Sequence, residues 1–402
     1  MTGRCVKKAK RVCIICSVNI KYTYPAVKGL ASILRRNGFW VDIVVPETFS
    51  DKALEGRGYN MVTVRHNFVR RIERTWMNRT PYSFKEKIDT VELLFRFVER
   101  LVRGKKYDIY VGIQEIGIIA AGLISKKLLG DKVFVAYLPE IRSDESLVQR
   151  VFRKIIREAD AVIDVDESRL ELRGKEYLLP RRRFIIYNCP SLREIEEVER
   201  SYVHRVVDGK VLWYHGCVSP AHGIDVLLDA YERVEMETEL HITGPFLSEL
   251  YKKEFMERIK KLHNMVYLHK PLERRILLGR AKTMADVAIA FYPWRVGSID
   301  IDPMHLEMNH KFANPAKVFD YMALGIPMIV SDNPTLVKLI ESNGCGICVP
   351  PEDASCVKDA IEHLVRNAKL RTEMSKKSKE LFRNMYNLEK VSEPFVKWLK
   401  DI

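Results

Sequence analysis

The stretch Asn309–Asp332, NHKFANPAKVFDYMALGIPMIVSD, combines residue types and spacings that suit the binding of a nucleotide. An Asn-Pro pair closes a loop, and the apolar spacing after it predicts a helix over Ala316–Leu324. The start of such a helix presents free backbone N–H groups and a partial positive charge, which together bind phosphate. Lys317 adds a cation there, and Asp320, one turn further on, is placed to hold a ribose hydroxyl. The predicted phosphate contacts at this helix are the backbone N–H groups of Ala316, Lys317 and Val318.

The elements around this stretch are those of an α/β protein. Gly325 predicts the end of the helix, and Pro327 cannot continue it. The short apolar run Met328–Val330 is typical of a buried parallel strand. An ordinary helix–strand unit without a ligand fits the same residues, so the stretch alone leaves both interpretations open.

Composition limits the class of protein. A chain of 402 residues suits two domains, and its formal net charge of +14 favours an anionic partner such as a nucleotide, a phospholipid surface or a nucleic acid. We find no motif that reads DNA or RNA, so we expect no nucleic-acid partner. No apolar run reaches the roughly 18 residues that span a bilayer, and the basic start leads into a strand without a signal peptide. We expect a cytoplasmic protein.

The cysteines form two C-x2-C pairs, Cys13/Cys16 and Cys345/Cys348. Four such cysteines can hold zinc, but both pairs lie in apolar runs typical of strands, where residues i and i+3 face opposite sides. We therefore predict core cysteines and no metal site. The tripeptide Asp300-Ile301-Asp302 resembles a metal-binding D-x-D motif of another fold, and we assign no metal to it either.

The first half of the chain begins with a predicted strand Arg11–Val18 and continues as alternating strands and helices without a G-x-G-x-x-G loop. Glu140 follows the predicted strand Val133–Tyr137, at the strand edge where such sheets bind ligands. It is either a contact to a sugar or a loop glutamate in water. The basic, aromatic stretch Arg65–Val102 fits either an anionic membrane surface or a solvated loop followed by a core helix.

The second half opens with a predicted strand Val211–Tyr214, after a charged segment, Ser191–Gly209, that we interpret as the interdomain linker. The loop after this strand, HGCVSPAHG, begins with Gly216, which lets a ligand approach the backbone closely. His222, near the end of the loop, could contact a phosphate as a neutral or a protonated ring.

The motif over Pro315–Pro327 resembles the PNK-x-FEYMA-x-G-x-P signature of glycosyltransferase family 4, whose members retain anomeric configuration. The loop after Val211–Tyr214 resembles the family's G-R-x-x-x-x-K-G loop, which takes the donor diphosphate. Four departures stand out: Cys217 replaces the family's arginine, His222 replaces its lysine, and Phe312 and the shorter Asp320 replace the first and second glutamates of its E-x7-E pair.

The resemblance implies the GT-B fold class, an α/β architecture with two Rossmann-like domains facing a central cleft. We expect an N-terminal acceptor domain over residues 1–195, a nucleotide-sugar donor domain over 196–384, and a helix over 385–402 that crosses back to the first domain.

It also implies a retaining glycosyltransferase that moves a sugar from a nucleotide-diphosphate sugar to a hydroxyl acceptor, without a cofactor or a metal. We expect a glycan or lipid-linked acceptor, a role in cell-envelope glycan synthesis and a peripheral place at the membrane. Open alternatives are a catalytically weak partner protein and a nucleotide-sugar epimerase of the same architecture. The implied catalytic residues are Lys317, His222 and Glu140, and the implied donor-binding residues are Gly216, Cys217, Ser219, Gly244, Lys270, Asn314, Pro315, Ala316, Val318 and Asp320.

Overall fold

The computed structural model describes residues 9–17, 26–46, 60–64, 84–104, 106–130, 132–141, 146–202, 210–293 and 308–402. Three predictions lie wholly or partly outside them. These concern the first part of the basic stretch, at 65–83, the D-x-D tripeptide at 300–302, and the second half of the proposed linker, at 203–209.

The chain divides into two compact units. The first contains Met1–Tyr187 together with Val391–Ile402, and the second contains Asn188–Lys390. Each unit is an α/β sandwich built on one parallel sheet, which is the architecture that the sequence predicts.

The sheet of the first unit has seven parallel strands among the described residues, in the order β3-β2-β1-β4-β5-β6-β7. Because β1 lies between β2 and β4, the strand order reverses at β1 and β4, where open α/β sheets bind ligands beyond the strands' carboxyl ends. The strands are β1 Arg11–Cys16, β2 Trp40–Pro46, β3 Asn60–Val64, β4 Ile109–Ile113, β5 Val133–Leu138, β6 Ala161–Asp164 and β7 Arg183–Ile185.

The core strands of this sheet are apolar on both faces because helices cover both. Cys13 and Cys16 lie in β1 and are fully buried, and Cys345 is buried in the second unit, so these three are core cysteines as predicted, whereas Cys348 is only half-buried. Phe97 and Phe134 pack into the cluster on the same side of the sheet as Cys13. The helices of this unit include Ala26–Arg36, Phe84–Val102, Gln114–Gly122 (continued by a π-helical turn, Leu123–Leu128), Leu147–Ile155 and Glu167–Glu176.

The sheet of the second unit has six parallel strands among the described residues, in the order β10-β9-β8-β11-β12-β13. Here the order reverses at β8 and β11. The strands are β8 Val211–His215, β9 Glu239–Thr243, β10 Met265–His269, β11 Val287–Ala290, β12 Met328–Ser331 and β13 Gly346–Val349.

The helices of the second unit bear on two predictions. The helix Ala316–Leu324 has the predicted bounds, and Gly325 ends it in the left-handed conformation with φ +69°. The segment interpreted as a linker instead begins with a helix, Leu192–Ser201, capped by the Ser191 side chain. Its charged residues fit an amphipathic helix that buries Ile195 and Val198, which explains why the segment lacks the pattern of a strand. Further helices of the second unit are Ile224–Glu232, Glu249–Ile259, Arg274–Met284, Pro334–Leu336, Ala354–Arg366 and Ala368–Asn384.

The last helix, Leu388–Asp401, begins in the second unit and continues into the first, whereas the sequence predicts its start at residue 385. Within the first unit its Phe395 and Trp398 rings pack on Phe184 with ring centroids 5.4 and 5.5 Å apart. Lys10 donates to the carbonyl of Leu399 over 3.0 Å. Among the described residues, no helix has the length and apolar character needed to cross a membrane.

Candidate functional site

The carboxyl ends of β8 and β11 bring together the loops that carry most of the predicted donor residues. The loop after β8 begins at Gly216, and the loop after β11 contains Tyr292. Because the strand order reverses between these two strands, their carboxyl edge is the expected ligand site of this sheet.

Gly216 and Gly244 approach each other so closely that position 244 has no room for a side chain. A Cβ atom on Gly244, whose φ is +152°, would lie 1.8 Å from the Gly216 carbonyl oxygen. The Gly216 N–H donates to Thr243 over 3.0 Å, and Val218 N–H donates to Pro245 over 2.9 Å. The two loops therefore run side by side and expose backbone at the sheet edge.

Lys317 is the buried cation of the site. Its amine lies in the space that a side chain on Gly216 would need, since a Cβ there would be 2.8 Å from Nζ. It donates to the Tyr214 hydroxyl over 3.2 Å and lies 4.3 Å from the centroid of that ring, a cation–π distance. Among the described residues no carboxylate pairs with it, and burial lowers the pKa of Lys317 to about 7.

The positions where the family has an arginine and a lysine are uncharged. Burial raises the pKa of the Cys217 thiol, although Lys317 opposes this, so the thiol stays protonated. Burial, Lys317 and His310 together hold the pKa of His222 well below its usual range, so the ring is neutral. Its Nδ1 lies 2.8 Å from the Ser219 hydroxyl. Ser219 therefore orients His222 and is itself buried.

The start of the helix Ala316–Leu324 differs in one respect from the prediction. Pro315 is the residue before the first turn, and no side chain caps the helix. Because the first turn is tight, the Val318 N–H donates to the Pro315 carbonyl over 3.1 Å. This N–H is therefore not available to a ligand. Only the first two residues of the helix, Ala316 and Lys317, keep the predicted geometry for an anion. Asn314 is buried, and its carbonyl accepts from the Asn188 side chain over 3.2 Å.

Asp320 is bound within the protein. Arg274 donates to both of its carboxylate oxygens over 2.6 Å, and His215 Nε2 lies 3.3 Å from Oδ2. Burial alone would raise the pKa of Asp320, but Arg274 and His215 outweigh it and lower the pKa to about 2. The carboxylate is only 1% exposed. This arrangement favours a positioning role over the predicted contact with a ribose.

The tautomer of His215 follows from its two neighbours. Trp213 Nε1, which can only donate, lies 3.2 Å from His215 Nδ1, so Nδ1 accepts. The proton is therefore on Nε2 and is donated to Asp320. Burial keeps the pKa of His215 below its usual value, which agrees with a neutral ring. A continuous chain of hydrogen bonds thus links the sheet face at Trp213 to Arg274.

Two other predicted residues lie apart from this group. Lys270 is exposed, and its carbonyl accepts from the Thr243 hydroxyl over 3.2 Å, so only its backbone is held. Glu140 belongs to the first unit, directly after β5. Arg173 donates to the Glu140 carbonyl, and Arg169 donates to the Pro139 carbonyl over 3.0 Å. These two buried arginines fix the backbone that presents Glu140.

In the first unit the structure also reveals Gln114, which the sequence analysis missed. It follows β4 at the point where the strand order reverses, and it has φ +59° although it is not a glycine. Strain of this kind concentrates at functional sites. The signal in the sequence was a carboxamide directly after a buried strand.

Four further residues of the site, in the second unit, are not predicted by any sequence motif: His215, Arg274, Tyr292 and His310. Each lies on a different element, so no local motif joins them. The available signal was a polar or aromatic side chain at or beside the carboxyl end of a strand, which holds for His215 and Tyr292.

Comparison with known proteins agrees with this geometry. Residues 209–367 match the family model described as Glycosyl transferases group 1. None of the curated proteins matches the chain.

Solved structures with the same fold include HepE from Anabaena in complex with UDP and glucose, with a TM-score of 0.69 and 12% identity over 98% of this chain and 100% of that one. Sucrose-phosphate synthase from Thermosynechococcus elongatus has a TM-score of 0.70 and 15% identity over 98% of each chain. The trehalose-phosphate synthase of Burkholderia vietnamiensis has a TM-score of 0.69 and 13% identity over 98% and 100% of the two chains.

These matches confirm the predicted GT-B fold, which the two parallel-sheet units already indicate. The family match covers the sheet edge at β8 and β11, the two glycine loops and the helix that carries Lys317. The prediction of a glycosyltransferase is confirmed at this level, by the match of residues 209–367 to the Glycosyl transferases group 1 model and by the shared fold.

Proposed function

We propose that the chain is a retaining glycosyltransferase of family 4 that moves a sugar from a nucleotide-diphosphate sugar to a hydroxyl acceptor and needs no metal. The observation that carries this proposal is the buried Lys317 amine. It lies against Gly216 at the ligand edge of a glycosyl transferases group 1 domain and has no carboxylate partner among the described residues. An uncompensated buried cation of this kind suits an anionic ligand.

The chemistry needs charge stabilisation at the leaving group. The bond from the anomeric carbon to the diphosphate oxygen breaks, and its electron pair stays on the phosphate. The resemblance implies that the acceptor oxygen attacks the same face and that its proton passes to the leaving phosphate. Lys317 and the N–H groups of Ala316 and Lys317 are preorganised for the developing negative charge, which is the largest source of catalysis in many enzymes. These groups supply that charge stabilisation without a metal.

The remaining residues receive supporting roles in this proposal. Gly216 and Gly244 let the diphosphate approach the backbone, and Ser219 orients His222. The backbone at Lys270 contacts the base, and Asn314 and Pro315 shape the loop before the helix. Glu140, held by its two arginines in the first unit, contacts a sugar substrate. Asp320 positions Arg274 and His215.

Uridine diphosphate sugars are the first donors to test, because HepE was solved with UDP and with UDP-glucose. A thermal-shift screen of UDP, GDP and ADP sugars should raise the melting temperature with one base, since a ligand of the folded state stabilises it by mass action. Donor turnover is then followed as released nucleoside diphosphate, with and without a chelator. Loss of turnover on chelation would contradict the metal-independent mechanism.

A second candidate function is favoured by Cys217 and His222, which remove two of the family's cations. In that case the chain binds a nucleotide sugar but transfers it poorly, as a partner of another transferase. Binding without turnover across a panel of hydroxyl acceptors would support it. Conversion of the donor sugar into its epimer, followed by NMR, would instead indicate an epimerase.

The acceptor and the location are part of the same proposal. We propose a glycan or lipid-linked acceptor of the cell envelope, used on the cytoplasmic side of the membrane. The helix Phe84–Val102 supports this because it exposes Phe95, which is 63% exposed, beside Arg96 and Arg100. Co-sedimentation with vesicles of anionic lipid and with neutral vesicles tests it. Equal binding to both would contradict an electrostatic membrane contact.

A further inference from the structure

Three aromatic rings and one amine form a compact group beside Gly216. We call Lys317, His222, His310 and Tyr292 the histidine–lysine cluster. The Tyr292 ring lies edge-on to His222 at 5.7 Å and to His310 at 5.5 Å, measured between centroids. The Lys317 amine lies 5.1 Å from the centroid of Tyr292. Lys317 and His222 lie in the two stretches that resemble the family's motifs, whereas His310 and Tyr292 have no assigned role.

The backbone holds this group together at the ligand edge of the sheet. Gly223, the residue after His222, has φ +68° and packs against the chain after β11, where an added Cβ would lie 2.6 Å from Phe291. The loop after β8 is thereby pressed against Tyr292. His310 is fixed from the other side, because its Nδ1 bonds the Pro293 carbonyl.

The cluster contains more polar atoms than the protein uses. Among the described residues, His222 Nε2, His310 Nε2 and the Tyr292 hydroxyl have no hydrogen-bond partner, and Lys317 Nζ has only the Tyr214 hydroxyl. As whole residues, His310 and Lys317 are 6% and 7% exposed. Donor and acceptor atoms that the fold leaves unused in this way are available to a ligand.

The neighbours of each ring decide which atom carries a proton. The Pro293 carbonyl can only accept, so His310 Nδ1 is protonated and the neutral ring presents a lone pair at Nε2. A phosphate oxygen also presents lone pairs. His310 can therefore contact a phosphate only after it takes up a proton.

His222 and Tyr292 differ from His310 in this respect. If Ser219 donates to Nδ1, the neutral His222 ring offers an Nε2–H to a ligand. Burial raises the pKa of Tyr292, so its hydroxyl remains a donor. These two groups can bond an anion without any change of protonation.

We propose that the histidine–lysine cluster is the pocket for the donor diphosphate and that the anion binds together with protons taken up by Lys317 and His310. The inference rests on the proposed function, because it names the pocket that replaces the family's arginine and lysine. The negative charge of the leaving group is thus balanced by protons that the pocket takes up on binding, and not by permanent cations.

Electrostatics agrees with this geometry. Burial lowers the pKa of Lys317 to about 7. Burial and Lys317 also lower the pKa of His310, although its bond to Pro293 opposes the shift. Burial, Lys317 and His310 lower that of His222. The pocket without a ligand is therefore close to neutral at pH 7, and an entering anion raises each of these pKa values by attraction.

The test measures the affinity of the full chain for UDP, GDP and ADP by titration calorimetry at pH 7 and pH 8. A phosphate monoester has its second pKa near 6, so the ligand changes little over this range. With a Lys317 pKa of about 7, linkage predicts that the dissociation constant rises about fivefold between pH 7 and pH 8. Buffers of different ionisation enthalpy should reveal an uptake of about half a proton at pH 7.

Variants separate the contributions. Cys217→Arg restores a permanent cation, so affinity should rise and its pH dependence should flatten, whereas Cys217→Met should leave the slope unchanged. His310→Asn keeps a donor to Pro293 and removes Nε2, and it should reduce the proton uptake measured at pH 6. The exposed His363→Gln is the matched control and should leave both quantities unchanged.

An affinity that is the same at pH 7 and pH 8, with no proton uptake, would overturn the inference even if sugar transfer is observed. Proton-linked binding of a nucleoside diphosphate without transfer of any sugar would support the pocket and overturn the proposed function. Binding of none of the three nucleotides would overturn both.

Discussion

Asp320 and Arg274 form a two-point ion pair in which each outer nitrogen of the guanidinium donates to a different carboxylate oxygen over 2.6 Å. Glu194 accepts from the Arg274 Nε over 3.1 Å. The helix Ala316–Leu324 is thereby linked to two other helices, Leu192–Ser201 and Arg274–Met284. The Asp320 carboxylate therefore holds the residues around the site in place. The side chain of aspartate, which is shorter than that of the family's glutamate, suits this partner within the protein.

We expect Asp320→Asn to lower the free energy of unfolding at pH 7 by about 1.5–3 kcal/mol, because it breaks the charged two-point contact with Arg274, whose side chain is 26% exposed and stays bound to Glu194. Denaturant unfolding measures this. The affinity of the folded variant for UDP should change by less than about threefold, or about 0.6 kcal/mol.

The matched control is Asp229→Asn, which breaks the half-exposed pair with Arg258 and should change stability by no more than about 1 kcal/mol. Normal stability of Asp320→Asn combined with a large loss of UDP affinity would restore the ribose role that the sequence suggested.

The pKa of Asp320 also predicts an acid limit. Its folded-state pKa of about 2 lies below the ordinary value of 3.8, so the pair stabilises the fold above about pH 4, and this contribution is lost as pH falls towards 2. The contribution is about 2 kcal/mol, because lowering a pKa by one corresponds to about 1.36 kcal/mol of free energy. Stability measured from pH 5 to pH 2 should fall less steeply in Asp320→Asn than in the parent.

Lys317→Met should stabilise the protein without its ligand and weaken donor binding. The folded-state pKa of Lys317 is lowered, so the protonated amine destabilises the fold fully below about pH 7, and this penalty declines as pH rises from 7 towards the ordinary value of 10.5. The gain in melting temperature should therefore be larger at pH 6 than at pH 9. UDP affinity at pH 7 should fall by about 1.5–3 kcal/mol for the lost charged hydrogen bond. A variant that melts below the parent at pH 6 would contradict the burial of an unpaired charge.

The sequence predicted what depends on local pattern. The helix Ala316–Leu324 has the bounds that its apolar spacing and Gly325 indicated, and the alternating elements indicated two parallel-sheet units. What it could not predict depends on side chains brought together from distant elements. Arg274 and His215 lie 46 and 105 positions away from Asp320 in the sequence, so no local spacing predicts either contact.

The helix at Leu192–Ser201 was missed for a related reason. Its apolar residues are few, and its helical character depends on packing against the helix Arg274–Met284 and on the Ser191 cap. The hydrogen bond that the Val318 N–H makes within the first turn could not be predicted either, because the sequence does not show how tightly a helix begins.

Gly244→Ala should disrupt the donor loops. Its Cβ would lie 1.8 Å from the Gly216 carbonyl, so the two loops must separate, and we expect a loss of about 2 kcal/mol or more, the size of an overpacked core substitution. Gly38→Ala is the matched control, since Gly38 also has a positive φ but nothing lies within 4 Å of the added atom. It should lose only about 1 kcal/mol. Equal losses of stability in the two variants would show that backbone strain, and not the close approach of the two loops, determines the effect of the added methyl group.

Gln114→Gly tests whether strain in the first unit is functional. Glycine adopts φ +59° freely, so the variant should gain up to about 1 kcal/mol of stability while sugar transfer falls at least tenfold. The measurements are denaturant unfolding and the transfer rate at saturating donor. Full activity in a stabilised variant would mean that the Gln114 side chain contributes only to packing.

The path of the last helix has a practical consequence for dissecting the protein. Because Val391–Ile402 belongs to the unit that begins the chain, a fragment that stops at Tyr187 lacks part of its own core. It would expose Phe184, whose two aromatic partners, Phe395 and Trp398, are encoded more than two hundred positions later. To be produced alone, the first unit must carry this helix joined by a linker or supplied as a separate peptide. Rescue of the truncated fragment by that peptide would make the protein a natural split-complementation pair.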